Sequence, residues 1–201
     1  MTAAPMTIQT KHNSSTFIKA NADYFGLGNI SGNIHVYTEN VIELEPYNSL
    51  TNVIPLNAGD IKKIADQTSN HWRKLFNVYA KLVFEVEDYN YLTWQQLRDE
   101  LLLQESGNYA LYFGKQSLMS RINTLVEPAK IQPEKIHIVM GKGFATRCFS
   151  EDILSNEFTW IDNEFAINKD TNTIICPYFD YRQLTNEKIS RLVKFICILN
   201  N

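Results

Sequence analysis

Two short segments of this sequence place a glycine beside a lysine where a strand hands over to a helix, Gly114-Lys115-Gln116 and Gly141-Lys142-Gly143. Free backbone N–H groups and the helix dipole at such turns favour an anion, which makes Lys115, Gln116 and Lys142 candidates for holding a phosphate or carboxylate. Neither segment has the GxxxxGK[ST] or GxGxxG spacing of the nucleotide-binding loops, and the same residues also describe two tight turns with solvated lysines. A second concentration of chemistry lies in Cys176-Pro177-Tyr178-Phe179-Asp180-Tyr181-Arg182. In such a loop Tyr178 or Tyr181 can stack a planar ligand while Arg182 pairs with its phosphate or carboxylate, with Asp180 beside them. Equally, the aromatics can close the edge of the core and Asp180 can pair with Arg182. Glu39 and Asn40, just after the first strand, are the best-placed groups for polar readout of a ligand or for orienting a water molecule.

Other reactive side chains lack the company that chemistry needs. Cys176 becomes a nucleophile only beside a base that takes its proton, and no histidine is near it in sequence, so a buried structural cysteine is the simpler reading. His71, beside Trp72 on the edge of an apolar helical face, reads as a packed or surface histidine rather than a general base. His12, His35, His71 and His137 have no HExxH spacing, and Cys148, Cys176 and Cys197 form no CxxC clip. No metal and no cofactor is expected. The formal charge of −3 and a pI near 5.8 disfavour duplex DNA as a partner, since neutralising phosphates takes a basic surface.

The elements that must position these groups read as an alternation of strands and helices. Residues 1–30 form a Thr-, Ser- and Asn-rich N-terminal arm, pinned by Phe17, Ile18, Tyr24 and Phe25, and residues 31–201 form one α/β domain. Strands are expected at Ile34–Thr38, Val83–Val86, Tyr109–Phe113, Ile136–Met140 and Thr173–Cys176, with a hairpin about Asp162-Asn163. One helix runs from Ile61 through Thr68 and Trp72 to Tyr79 on three- and four-residue spacing. Others start at the Thr93/Gln96 capping pattern, run from Leu118 to a stop at Pro128, and follow Thr185-Asn186. The fold class expected is a three-layer α/β/α protein with a mainly parallel central sheet and helices on both faces. Ligands in such folds sit outside the carboxyl ends of the strands, which nominates the residues after Thr38, Phe113, Met140 and Cys176. The longest apolar run, Phe195–Leu199, is far short of the roughly 20 residues that span a bilayer, so a soluble cytoplasmic protein with no membrane partner is expected.

The carboxyl half, roughly residues 108–199, resembles the uracil-DNA glycosylase superfamily, especially its mismatch-specific branch. Gly114-Lys115-Gln116-Ser117 is similar to that family's "GKQA"-like helix start, and Gly141-Lys142-Gly143 can be laid on the same family strand instead. Thr173–Arg182 with the helix after it is similar to the family's late strand and proline-containing loop. Ile34–Asn40 resembles the strand before the water-activating loop, and Asn70-His71-Trp72 the "NxFW" helix. The resemblance implies a uracil-DNA glycosylase-like fold and a nucleobase, nucleotide or similar planar anionic ligand. It also implies a polar residue after the first strand to position water, and a His or Asn in the late loop to stabilise the departing base. Here the loops read Thr38-Glu39-Asn40-Val41 and Cys176-Pro177-Tyr178-Phe179, so binding without base excision is the expectation. Two other function classes stand beside it. One is a non-catalytic, self-associating interaction protein, and the other a hydrolase of a glycosidic or related bond in which Glu39 or Asn40 orients water.

Overall fold

The computed structural model of the protein describes residues 24–87, 90–125 and 135–200. The first elements are strands β1 (Gly26–Gly28), β2 (Ile34–Thr38) and β3 (Val53–Ile54), then helices α1 (Asp60–Gln67), α2 (Asn70–Val86) and α3 (Trp94–Glu100). There follow β4 (Tyr109–Phe113), α4 (Gly114–Leu125), β5 (Ile136–Met140), α5 (Lys142–Cys148) and α6 (Glu151–Asn156). Strands β6 (Thr159–Trp160), β7 (Ala166–Asn168) and β8 (Thr173–Cys176) lead into the last helix, α7 (Asn186–Leu199).

The four apolar runs at β2, β4, β5 and β8 are buried along their whole length, as strands covered on both faces must be. They form the parallel centre of an eight-stranded sheet of order β3-β1-β4-β2-β5-β8-β7-β6. The flanks run otherwise: β1 pairs antiparallel with β4, and β7 antiparallel with both β8 and β6. The sheet as a whole is therefore mixed rather than mainly parallel. The sequence pattern misses β1 and β3 because a three-residue and a two-residue strand are too short to show a period. The Asp162-Asn163 hairpin is present as β6 and β7.

Period-two alternation sends the strand side chains into two separate clusters. Ile34, Val36, Leu111, Ile138 and Ile174 pack with Ile64 of α1, Phe76 of α2, Leu97 of α3 and Leu192 of α7. Tyr37, Tyr112, Val139 and Ile175 pack with Leu118 of α4, Ala145 of α5 and Leu154 of α6. Phe25 and Tyr24 join these two clusters respectively, while Phe17 and Ile18 lie outside the described residues. The second cluster holds polar groups as well. The Tyr37 hydroxyl lies 2.9 Å from His137 Nδ1, Tyr112's lies 3.3 Å from His35 Nδ1, and His35 Nε2 donates to the Gly32 carbonyl at 2.9 Å. Buried polar groups are tolerable where such partners exist.

Two helical expectations need correction. Val83–Val86 is the last turn of α2 and not a strand. Its β-branched residues continue the helical stripe of Phe76 and Tyr79, and packing of that stripe overrides local propensity. The single helix expected from Ile61 to Tyr79 is two helices, because Thr68 and Ser69 are extended, at φ −122°, ψ −170° and φ −67°, ψ 153°. Thr68 Oγ1 donates to the Ile64 carbonyl at 2.6 Å and so closes the end of α1. Thr93 caps α3 by accepting the Gln96 N–H, and Thr185 caps α7 by accepting that of Lys188. Pro128 lies outside the described residues. No described helix is long and apolar enough to cross a membrane.

Candidate functional site

From β2 the chain passes through α1, α2 and α3 to β4 on one side of it, and then through α4 to β5 on its other side. Strand order therefore reverses at β2, and in open sheets a crevice forms beyond the carboxyl end of the strand where this happens. A crevice of about 430 Å³ lies at the carboxyl end of β2, within the connection that leads to β4. One wall is the segment after β2, with Asn40, Val41 and Glu43; the other is the α1–α2 break and the start of α2, from Gln67 to Ser69 with His71 and Trp72. The break in the helix supplies this second wall. An uninterrupted helix would have hidden its polar Gln67-Thr68-Ser69 segment in regular hydrogen bonding.

Tyr178 ties the two walls together. Its hydroxyl lies 2.7 Å from His71 Nε2 and 3.3 Å from Thr38 Oγ1, and it accepts from Asn40 Nδ2 at 3.3 Å. The phenol and imidazole rings are stacked with centroids 5.2 Å apart. Thr38 Oγ1, fully buried, also accepts the Asn40 backbone N–H at 3.4 Å. The hydrogen-bond chain thus runs from Asn40 through Thr38 and Tyr178 to His71. Phenol and imidazole are both neutral at pH 7. Burial raises the Tyr178 hydroxyl above its ordinary 10.0 against the opposing bonds from Thr38 and Asn40. Burial likewise lowers the His71 imidazole below 6.5, with Asp180 pulling it up and Lys74 pushing it down. Such a chain presents an uncharged imidazole and an amide to the crevice, a pair that can donate to and accept from a ligand.

The residues singled out in the sequence divide. Asn40 lines the crevice and Tyr178 is bonded to two of its lining residues. Glu39 is turned to Arg147, whose Nε donates to its carboxylate at 3.1 Å. Asp180 does not pair with the Arg182 guanidinium. It binds Lys74 at 2.9 Å and accepts the Arg182 backbone N–H at 2.9 Å, and the Lys74 bond first of all holds its carboxyl below 3.8. Tyr181, 52% exposed, lies under Lys74, and Arg182 is exposed beside it. Phe179 is fully buried against Tyr79, so the late loop closes the core with one aromatic and reaches the crevice network with another. Lys115 and Gln116 are exposed on α4, and Lys142 sits 4.4 Å over the Trp160 ring. None of these three lines the crevice. Gly114 and Gly141 have φ of 75° and 91°, the left-handed region that glycine enters without cost, which accounts for both Gly-Lys turns without a ligand.

Sequence reasoning did not assign a site role to Thr38, Glu43, Gln67, Thr68, Ser69, His71 or Trp72. The available signal was the run Gln67-Thr68-Ser69-Asn70, four polar residues with cap character inside an apolar stripe. Cys176 is fully buried, and burial raises its thiol; burial pushes the Cys148 thiol to about 11. Neither is poised as a nucleophile. Among the described residues no three His, Cys, Asp or Glu side chains gather as a metal-binding group.

Sheet, switch point and crevice define an α/β protein with a polar strand-end site. The chain belongs to a family of unknown function, DUF6942, whose model matches residues 25–197. No curated protein and no solved structure matches it.

Proposed function

We propose that this protein is a diverged uracil-DNA glycosylase-like domain, its two core clusters forming the outer interfaces of a three-layer α/β/α fold. On this reading it binds a planar, hydrogen-bonding small molecule of the nucleobase or nucleotide kind without excising a base. The observation that carries the reading is the crevice at the carboxyl end of β2, where Tyr178 holds Asn40 and His71 by hydrogen bonds. Its lining mixes donors and acceptors with a small exposed part of the core residue Trp72, 4% exposed, a composition that recognises a flat heterocycle by the hydrogen bonds along its edge. The cations nominated for an anionic group, Lys115, Lys142 and Arg182, lie off this lining, so the crevice-centred reading rests on the ring and not on a phosphate.

The test is titration of the full chain with nucleobases and nucleosides, observed in the His71 and Trp72 ring signals by NMR. Binding that weakens roughly tenfold in Asn40→Ala and in His71→Ala, the equivalent of about 1.4 kcal/mol, supports the site. Unchanged affinity in both folded variants rejects it. A hydrolase reading is favoured by one observation, that Asn40 and a neutral His71 lie on opposite walls. There His71 would take a proton from water oriented by Asn40, and turnover of a glycosidic substrate that disappears in His71→Gln would establish it.

A further inference from the structure

The reading of the crevice as a nucleobase-type site, on which this inference rests, leaves the substitution pattern of the ring open, and the charges around the crevice decide it. Among the described residues lining it, Glu43 is the one formally charged group. Glu43 is exposed and has no hydrogen-bond or ion-pair partner among them. An oxo group facing that carboxylate would set acceptor against acceptor and form no hydrogen bond. An exocyclic amine would instead donate to that carboxylate, the pairing by which Glu and Asp read the N4 amine of cytosine.

We propose that the crevice selects an uncharged ring bearing an exocyclic amine over its oxo counterpart, with Glu43 as the group that discriminates. Glu43 touches the amine at the mouth of the site, while Asn40 and His71 face the ring from opposite walls. Because Glu43 is exposed, its charged hydrogen bond is screened, and its effect on selectivity is about tenfold rather than a hundredfold.

The experiment compares cytosine with uracil by NMR titration of the full chain and of Glu43→Gln. Cytosine is expected to bind about tenfold more tightly than uracil, and the gap to shrink at least threefold in Glu43→Gln, a substitution at an exposed side chain that leaves the core intact. Uracil binding as well as cytosine overturns the proposal, as does selectivity that is unchanged in the variant. In either case the base-binding reading survives. Absence of binding by both compounds overturns that reading itself, and the amine selectivity with it.

Discussion

Replacing Tyr178 with phenylalanine removes one oxygen and leaves the ring stacked on His71, which isolates the hydroxyl as the tie between the crevice walls. Three contacts are lost: one at 2.7 Å to His71 and two at 3.3 Å to Thr38 and Asn40. A neutral hydrogen bond is worth about 0.5–1.5 kcal/mol net, and the two long ones belong at the bottom of that range. Thr38 Oγ1 is fully buried but keeps the Asn40 N–H at 3.4 Å, while His71 and Asn40 line the crevice, where water can replace the lost hydroxyl. The expected loss is about 2 kcal/mol, which for a chain of this size lowers Tm by roughly 4–8 °C. Urea denaturation with an unchanged m value measures it. A cycle with Asn40→Ala then tests whether the residues act together, the expected coupling being about 0.5–1 kcal/mol. A loss below about 0.5 kcal/mol with no coupling would show that Tyr178 fills space and does not tie the walls.

His71, held below 6.5 chiefly by burial, binds its proton more readily in the unfolded chain. Its contribution to stability is therefore complete above pH 6.5 and is lost as pH falls through the folded value. His71→Gln should flatten the stability profile just below pH 6.5, and an identical slope in the variant would refute the assignment. Asp180, lowered first by its Lys74 bond and also by the Arg182 N–H, should cost stability as pH falls below 3.8, a loss that Lys74→Met should reduce in an acid titration. In native protein Cys197 should react with Ellman's reagent far faster than the buried Cys148 and Cys176, and three equal rates would contradict their burial. Uracil excision from single- or double-stranded DNA should be absent in a gel assay for abasic sites, because both catalytic loops of the resembled superfamily are altered. Protein-dependent cleavage that survives stringent purification would show that other residues had taken over.

The parallel centre of the sheet was legible because its strands are continuous apolar runs that need no alternation. The flanking strands were not. The pairing of Gly26–Gly28 depends on the absence of side chains: a Cβ at Gly26 would sit 2.1 Å from the Leu111 carbonyl oxygen. That requirement is set by a strand more than eighty residues away in sequence and leaves no local period. Asn40 and Tyr178 were legible because they follow strands. Lys115 and Lys142 follow strands too, yet they stay off the crevice, because it is enclosed within the connection from β2 to β4, and neither the turn after β4 nor the turn after β5 lines it.

The position of the crevice follows from two features acting together, and each alone would leave it elsewhere or closed. The chain leaves β2 for the connection that carries α1 and α2 to β4, so the polar residues after Thr38 border an opening whose far side is that same connection. The interruption at Thr68-Ser69 then turns the amino end of α2 toward that opening and brings His71 within 2.7 Å of the Tyr178 hydroxyl. Thr68 can end α1 because its own hydroxyl bonds the Ile64 carbonyl, which makes the break a local decision of the sequence. The consequence is long-range, since it places His71 beside a tyrosine that lies 107 positions further along the chain. A histidine that reads as packing on a helical stripe thereby becomes a neutral, hydrogen-bonded wall of the site. Asn40, just beyond the carboxyl end of β2, supplies the other wall.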